Sequence, residues 1–163
     1  MIRVTLGSAA VLVVCLSAMA VTQKHALKGE SELMARVERS IKEKEPEWKP
    51  SRLLSNGNRI VKRWKFGNEE VLVSIHEYRT GDEAANEMSR AVKAVSVPGV
   101  PLEKMGDEAY VWAAYTESGR SAIRFRKSNV FVSVGAPSLG LAKKFARHIA
   151  DEIEGEEKTQ VPD

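Results

Sequence analysis

Gly135-Ala136-Pro137-Ser138-Leu139-Gly140 lies between a segment of strand periodicity and one of helix periodicity, where a phosphate loop or a nucleophile elbow belongs. A Walker-type phosphate loop needs Lys and then Ser or Thr after its last glycine, to reach the terminal phosphates and the magnesium ion. Leu141-Ala142 stands there instead. A nucleophile elbow would make Ser138 the nucleophile, but Ala136 replaces the first glycine of G-x-S-x-G, and the chain is short for that hydrolase fold. Capping alone accounts for a serine here, its hydroxyl accepting from an unpaired N–H of a helix's first turn. His25, His76 and His148 show no metal-ligand spacing and fall on linker, strand and exposed-helix positions, which suits structural or surface roles. Asp107 and Glu108 are neighbouring carboxylates, yet adjacent strand residues point to opposite faces and do not converge on one substrate atom. The sequence therefore assigns no catalytic residue, no metal ligand and no cofactor.

The cations carry more information. Period-two spacing places Arg59, Arg63 and Lys65 on one face of their strand, and Arg120, Arg124 and Arg126 on one face of theirs. The opposite faces carry Ile60, Trp64 and Phe66, and Ile123 and Phe125, which must be the helix-packed side. If the two rows share one sheet face, with His76, Tyr78 and Phe131 beside them, that face suits phosphate- or carboxylate-rich polymers, acidic headgroups or an acidic protein. The plainer reading is a solvated outer face that keeps the sheet soluble, or one partly covered by the first helix.

The elements that must position these residues follow from periodicity and punctuation. Ser31 caps a helix over about residues 32–45, with Leu33, Met34, Val37 and Ile41 on one stripe, and Pro46 and Pro50 stop it. A turn at Ser55-Asn56-Gly57 leads into a strand over 58–66, and Gly67-Asn68 turns the chain into a second over 70–78. Thr80 and Glu83 form a capping box ahead of a helix with Ala84, Ala85, Met88, Ala91, Val92 and Val95 at helical spacing. Pro98, Gly99 and Pro101 make 97–105 a loop. Strands over 109–115, 120–126 and 130–135 follow, then a helix with Ala142, Phe145, Ala146, Ile149 and Ile153 inward, ended by Gly155. The order α-β-β-α-β-β-β-α, with strands joined by tight turns, is that of an α+β fold with helices packed on a mainly antiparallel sheet.

Shifting the chain by 59 residues lays 63–75 over 122–134 with four of thirteen positions identical, and a shift of 58 lays Ala84, Met88, Ala91 and Val95 over Ala142, Ala146, Ile149 and Ile153. Either a ββα unit is duplicated, or two amphipathic hairpins look alike because each buries one face.

The chain's 163 residues suit one domain. Its ends differ in character. Arg3 precedes an uncharged run from Val4 to Val21, and Ala18-Met19-Ala20 is a signal-peptidase pattern. Residues 1–20 are accordingly either a cleaved signal peptide or a retained membrane anchor, the run's length being near that of a bilayer span. Cys15, the one cysteine, follows Val14, a poor residue for a lipidation site, so the exported part carries neither a disulfide nor a thiolate. The expected domain spans 31–155, with 156–163 a mobile acidic tail. Six acids stand against Lys158 from Asp151 onward, which with Arg3 leaves a net +7 on Val21–Ala150 out of the chain's +3.

Gly106-Asp107-Glu108-Ala109-Tyr110 opening a strand, the hairpin ending Arg124-Phe125-Arg126-Lys127-Ser128-Asn129-Val130, and the closing helix with Ala142, Ala146, Ile149 and Ala150 resemble a loose class of exported bacterial domains of unknown function, often lipoproteins or sensor ectodomains. The resemblance runs from about Val71 to Ile153, and this chain lacks the lipidation signal of the lipoprotein members. It brings no catalytic residue set. The expected function is non-catalytic binding of an envelope partner or anionic ligand, periplasmic or extracellular. No nucleic acid is expected, and membrane contact only through the N-terminal segment. A small exported hydrolase with scattered site residues, or a membrane-tethered structural domain, are the alternatives.

Overall fold

Helical stripes and alternating strands need a shared core, and here a single sheet supplies both of its sides. The computed structural model describes residues 32–56, 59–113 and 119–159, with side chains described for 32–51, 59–113 and 119–153. The expected export segment 1–20, the capping Ser31, the linker's His25 and residues 160–163 lie outside them.

Helix α1 covers residues 32–44. Strands β1 (Lys49–Asn56), β2 (Arg59–Phe66) and β3 (Glu69–Glu77) form a meander, and helix α2 (Gly81–Lys93) follows. Strands β4 (Val100–Pro101), β5 (Glu108–Trp112), β6 (Ser121–Lys127) and β7 (Val130–Ala136) lead to helix α3 (Leu139–Thr159). The sheet is antiparallel throughout, ordered β1-β2-β3-β7-β6-β5-β4, so two meanders meet at the central β3–β7 pair. The fold is α+β, as the sequence predicts.

Two strands are additional to that reading. β1 tolerates Pro50 because it is an edge strand, where a missing N–H need not cost a ladder bond, and its register shifts between Pro50 and Arg52. β4 is a two-residue edge inside the proline-rich loop, pairing Val100 with Val111 and Pro101 with Tyr110. Gly155 does not end the last helix. α3 continues to Thr159, through the start of the segment expected to be a tail; an interior glycine costs a helix only about 1 kcal/mol.

The expected caps of α2 and α3 are in place. Thr80 Oγ1 accepts from Glu83 N (3.2 Å), while Glu83 Oε2 accepts from Arg79 N (3.0 Å), one residue beyond the usual capping box. Ser138 Oγ accepts from Leu141 N (3.3 Å), so this serine works as a helix cap.

Register fixes the two faces. On one lie Ile60, Trp64, Val71, Val73, Ile75, Ile123, Phe125, Val132 and Val134, all buried together with Leu33, Met34, Val37 and Ile41 of α1 and Ala142, Phe145, Ala146, Ile149 and Ile153 of α3. Phe145 meets Trp48 and Trp64 edge-on, with centroids 5.3 and 6.0 Å apart. Phe66, expected on this side, is half exposed at the strand end, touching Trp48 at its rim. Glu45, 6% exposed, ties the two helices together by accepting from Lys144 Nζ (2.6 Å) and contacting His148 Nε2 (3.2 Å). His148 is thereby partly buried and partnered, not the exposed helix position the spacing predicts.

Helix α2 packs on the other face, over β6 and β7. Ala84 and Met88 are fully buried there but do not belong to the main core, and neither do Trp112, Ala122 and Phe131. The loop after α2 is pinned where Trp112 Nε1 donates to Val97 O (2.9 Å), and Gly99 lies so close to the indole that a Cβ would overlap it. Among the described residues no helix is long and apolar enough to cross a membrane.

Candidate anion-binding face

The strand order and register bring Arg59, Arg63 and Lys65 of β2 and Arg124 and Arg126 of β6 onto one face of the sheet, onto which Arg120, just ahead of β6, also reaches; it is the face that also carries α2. Helix coverage divides them. Strands β2 and β6 are separated by β3 and β7, and α2 lies over the β6–β7 half.

On the covered half the arginines are structural. Arg124 Nη1 donates to Ala91 O in the last turn of α2, where carbonyls lack helical partners and the helix dipole favours a cation. Its guanidinium also sits 5.2 Å from the Trp112 ring centroid. Arg126 Nη1 donates to Asp107 Oδ2 (2.8 Å) and to Ser128 O (3.1 Å). Asp107 Oδ2 also accepts from Ser128 N (2.8 Å), so this carboxylate braces the β6–β7 turn, where Ser128 takes a positive φ. Gly106, also at positive φ, approaches the Arg126 carbonyl too closely for any side chain.

On the uncovered half the row stays intact. Arg63 Nη1 and Lys65 Nζ both lie near Glu70 Oε2, at 3.6 and 3.7 Å, so two cations share one carboxylate and a net positive charge remains. Arg63 keeps 42% of its side chain exposed, and its Nε has no hydrogen-bond partner among the described residues. Arg120 reaches across β7 to join them, donating from Nη2 to Glu70 O (2.8 Å) and Gly135 O (3.3 Å). Register adds Lys49 opposite Lys65. Arg59 stands at the other end, its Nε donating to Ser74 Oγ (2.9 Å). Strand rise puts Arg59 and Arg63 about 13 Å apart along β2.

Between these ends the floor is small and half-buried. Leu72, Ser133 and Gly135 are partly exposed, and a side chain at Gly135 would meet nothing within 4 Å. His76, Tyr78 and Phe131 join this face, as the sequence predicts. His76 lies edge-on to Phe131 at 6.1 Å and its Nδ1 is 3.0 Å from Tyr78 Oη. Burial and the Arg59 charge hold the His76 pKa below its usual 6.5, against the opposing pull of Glu87 in α2. Burial and Glu87 push the Tyr78 phenol up to about 12, so it stays protonated. These residues form a polar cluster in the angle between α2 and the open sheet. The basic rows pointed to the face; α2 coverage, which decides which cations remain available, left no signal in residue spacing.

Ser74 Oγ is engaged by Arg59, and Ser138 Oγ caps its helix. No group of three metal-ligating side chains occurs among the described residues. Compared with known proteins, the chain matches no family model, no curated protein and no solved structure.

Proposed function

We propose that this chain is an exported, non-catalytic binding domain that takes an anionic partner on the uncovered β1–β3 half of its sheet. The observation that supports this most is the row Arg59, Arg63 and Lys65, joined by Arg120 and offset at its Lys65 end by Glu70. A row about 13–20 Å long suits an extended polyanion laid along β2 better than a compact ion. The compartment rests on Arg3, the uncharged run from Val4 to Val21 and Ala18-Met19-Ala20, which read as an export signal or anchor. Periplasmic or extracellular polymers and acidic proteins are then the available partners.

The test is a panel of polyphosphate, polygalacturonate, anionic vesicles and acidic proteins, titrated against the full chain at low and physiological salt. Binding should weaken with salt, since exposed charges are screened over ~8–10 Å at physiological ionic strength. Reversing Arg59 and Arg63 to Glu should abolish it. A wild-type chain that binds none of these polyanions would leave the face as a solubility surface only.

A further inference from the structure

Helices α2 and α3 end with opposite electrostatics. α2 follows the helix dipole, with Asp82 and Glu83 in its first turn and Arg90 and Lys93 in its last. α3 runs against it. From Asp151 to Glu157 five of seven residues are acidic, close to the end where unpaired carbonyls already leave a partial negative charge. Asp151 is met by Lys44 of α1 (3.5 Å), and Ile153 is the last described residue of α3 in the core. Glu154, Glu156 and Glu157 lie beyond it, on about 9 Å of helix running to Thr159, and Gly155 among them weakens that helix further. Such an end is stabilised by a cationic surface brought from outside.

The chain carries such a surface but cannot turn it on its own α3. That helix is seated on the core face through Ala142, Phe145, Ile149 and Ile153. Arg59, Arg63 and Lys65 lie on the opposite face, in the half that no helix covers among the described residues. α3 continues unbroken to Thr159, so the sheet stays between its acidic end and the basic row. A second copy meets no such barrier. The acids from Asp151 to Glu157 span about 9 Å of helix and the basic row about 13–20 Å, so the helix end fits within the row.

We infer that the uncovered half of the basic face takes the acidic end of α3 from a second copy of this chain. This rests on the anion-binding reading of the face and names its partner. The contact is heterologous, one molecule's sheet against another's helix end, so it repeats from copy to copy. Exposed ion pairs are individually weak, so the association belongs to high concentration and low salt.

Sedimentation of the full chain at low salt, up to millimolar concentration, should show an average mass that rises with concentration and returns to the monomer value as salt is raised. The triple variant Glu154→Gln/Glu156→Gln/Glu157→Gln keeps the helix, Gln being as good a helix former as Glu, and should associate about tenfold more weakly. Arg59→Glu/Arg63→Glu should do the same. Mixing the two variants reads the contact itself: the first keeps the face and the second the helix end, so together they should form a one-to-one complex that grows no further. A wild-type chain that stays monomeric at low salt, a Gln variant that associates as wild type does, or a mixture no heavier than its parts overturns the inference. Association that salt does not reverse overturns it as well, since contact through the apolar run from Val4 to Val21 would persist in salt. The Gln variant, its face open, is also titrated with polygalacturonate. Binding without self-association of the wild type leaves the basic face standing for a foreign polyanion. Self-association without polygalacturonate binding confines the face to the chain's own acidic end. If neither occurs, both readings fall.

Discussion

Ser74 and Ser133 face each other across the central β3–β7 pair, and they are also the residues that coincide when the chain is shifted by 59 positions. The flanking pairs Val73–Val134 and Ile75–Val132 exchange under the same shift, as a two-fold axis normal to the sheet at this point requires. Further out the symmetry fails. The β2–β3 hairpin turns at 67–68 and the β6–β7 hairpin at 128–129, so the counterpart of Arg63, opposite Leu72, is Arg126, opposite Phe131. Such an axis keeps each face on itself, yet α2 and α3 lie on opposite faces. That break in symmetry leaves the β2–β3 half of the basic face without a covering helix among the described residues.

Arg124 should therefore matter for stability and not for binding. Arg124→Met removes the bond to Ala91 O and the contact with Trp112, costing about 1–3 kcal/mol. Thermal melting should fall by several degrees while polyanion affinity stays within about twofold of wild type, the change expected from losing one distant, screened charge. A larger loss of binding than Arg63→Glu causes would return Arg124 to the site.

Met88→Asp and Phe145→Asp test the two sides of the sheet separately. Both side chains are fully buried, Met88 beneath α2 and Phe145 between Trp48 and Trp64. An unpaired carboxylate at either place costs at least several kcal/mol. Each variant should unfold or melt more than about 10 °C lower in a dichroism scan. A melt within a few degrees of wild type for Met88→Asp would mean that α2 does not bury this stripe.

Glu45 gives the fold a pH dependence. Burial alone would raise its pKa, but Lys144 and His148 outweigh burial and hold it below the usual 4.5. A carboxylate with a depressed folded pKa stabilises above its unfolded value, and that stability is lost as pH falls through the folded value. Glu45→Gln should thus be less stable than wild type at pH 7, by about 1–3 kcal/mol for a charged hydrogen bond. Denaturant melts at pH 7, 5 and 3 should show the gap closing below about pH 4.5. A gap that persists undiminished at pH 3 contradicts the assignment.

His76 should titrate below its usual 6.5, and its neighbours should move it in opposite senses. Imidazole resonances followed against pH should give a higher midpoint in Arg59→Gln, which removes a repelling cation, and a lower one in Glu87→Gln. Because the folded pKa is depressed, the His76 contribution to stability is present above the unfolded value and lost as pH falls through the folded one. Shifts in the reverse senses would mean that these side chains are not the ones facing the ring.

Helix stripes and tight turns made most of the fold legible, since burying Leu33-Met34-Val37-Ile41 or Ala142-Phe145-Ile149 admits only one helical phase. β1 was hidden by Pro46 and Pro50, which end a helix as readily as they mark an edge. The turn after Ser55 was its signal, because a hairpin turn joins two strands. β4 was hidden in the same way by Pro98, Gly99 and Pro101. For the candidate face, alternation placed each basic row on one face of its own strand, and the strand order made the two faces one. Alternation was silent on coverage: Ala84 and Met88 show that α2 buries a stripe, not which side of the sheet receives it.

The claim on which the account turns is that the anionic partner lies along β2 and β3, away from the α2-covered half. Arginine side-chain N–H resonances of the full chain, followed by NMR during titration with polygalacturonate, test it most directly. Arg59, Arg63 and Arg120 should shift progressively and saturate together, and the shifts should reverse on raising salt, while Arg124 and Arg126 stay in place. Movement of Arg124 and Arg126 as large as that of Arg59 and Arg63, or shifts confined to α3, would contradict it.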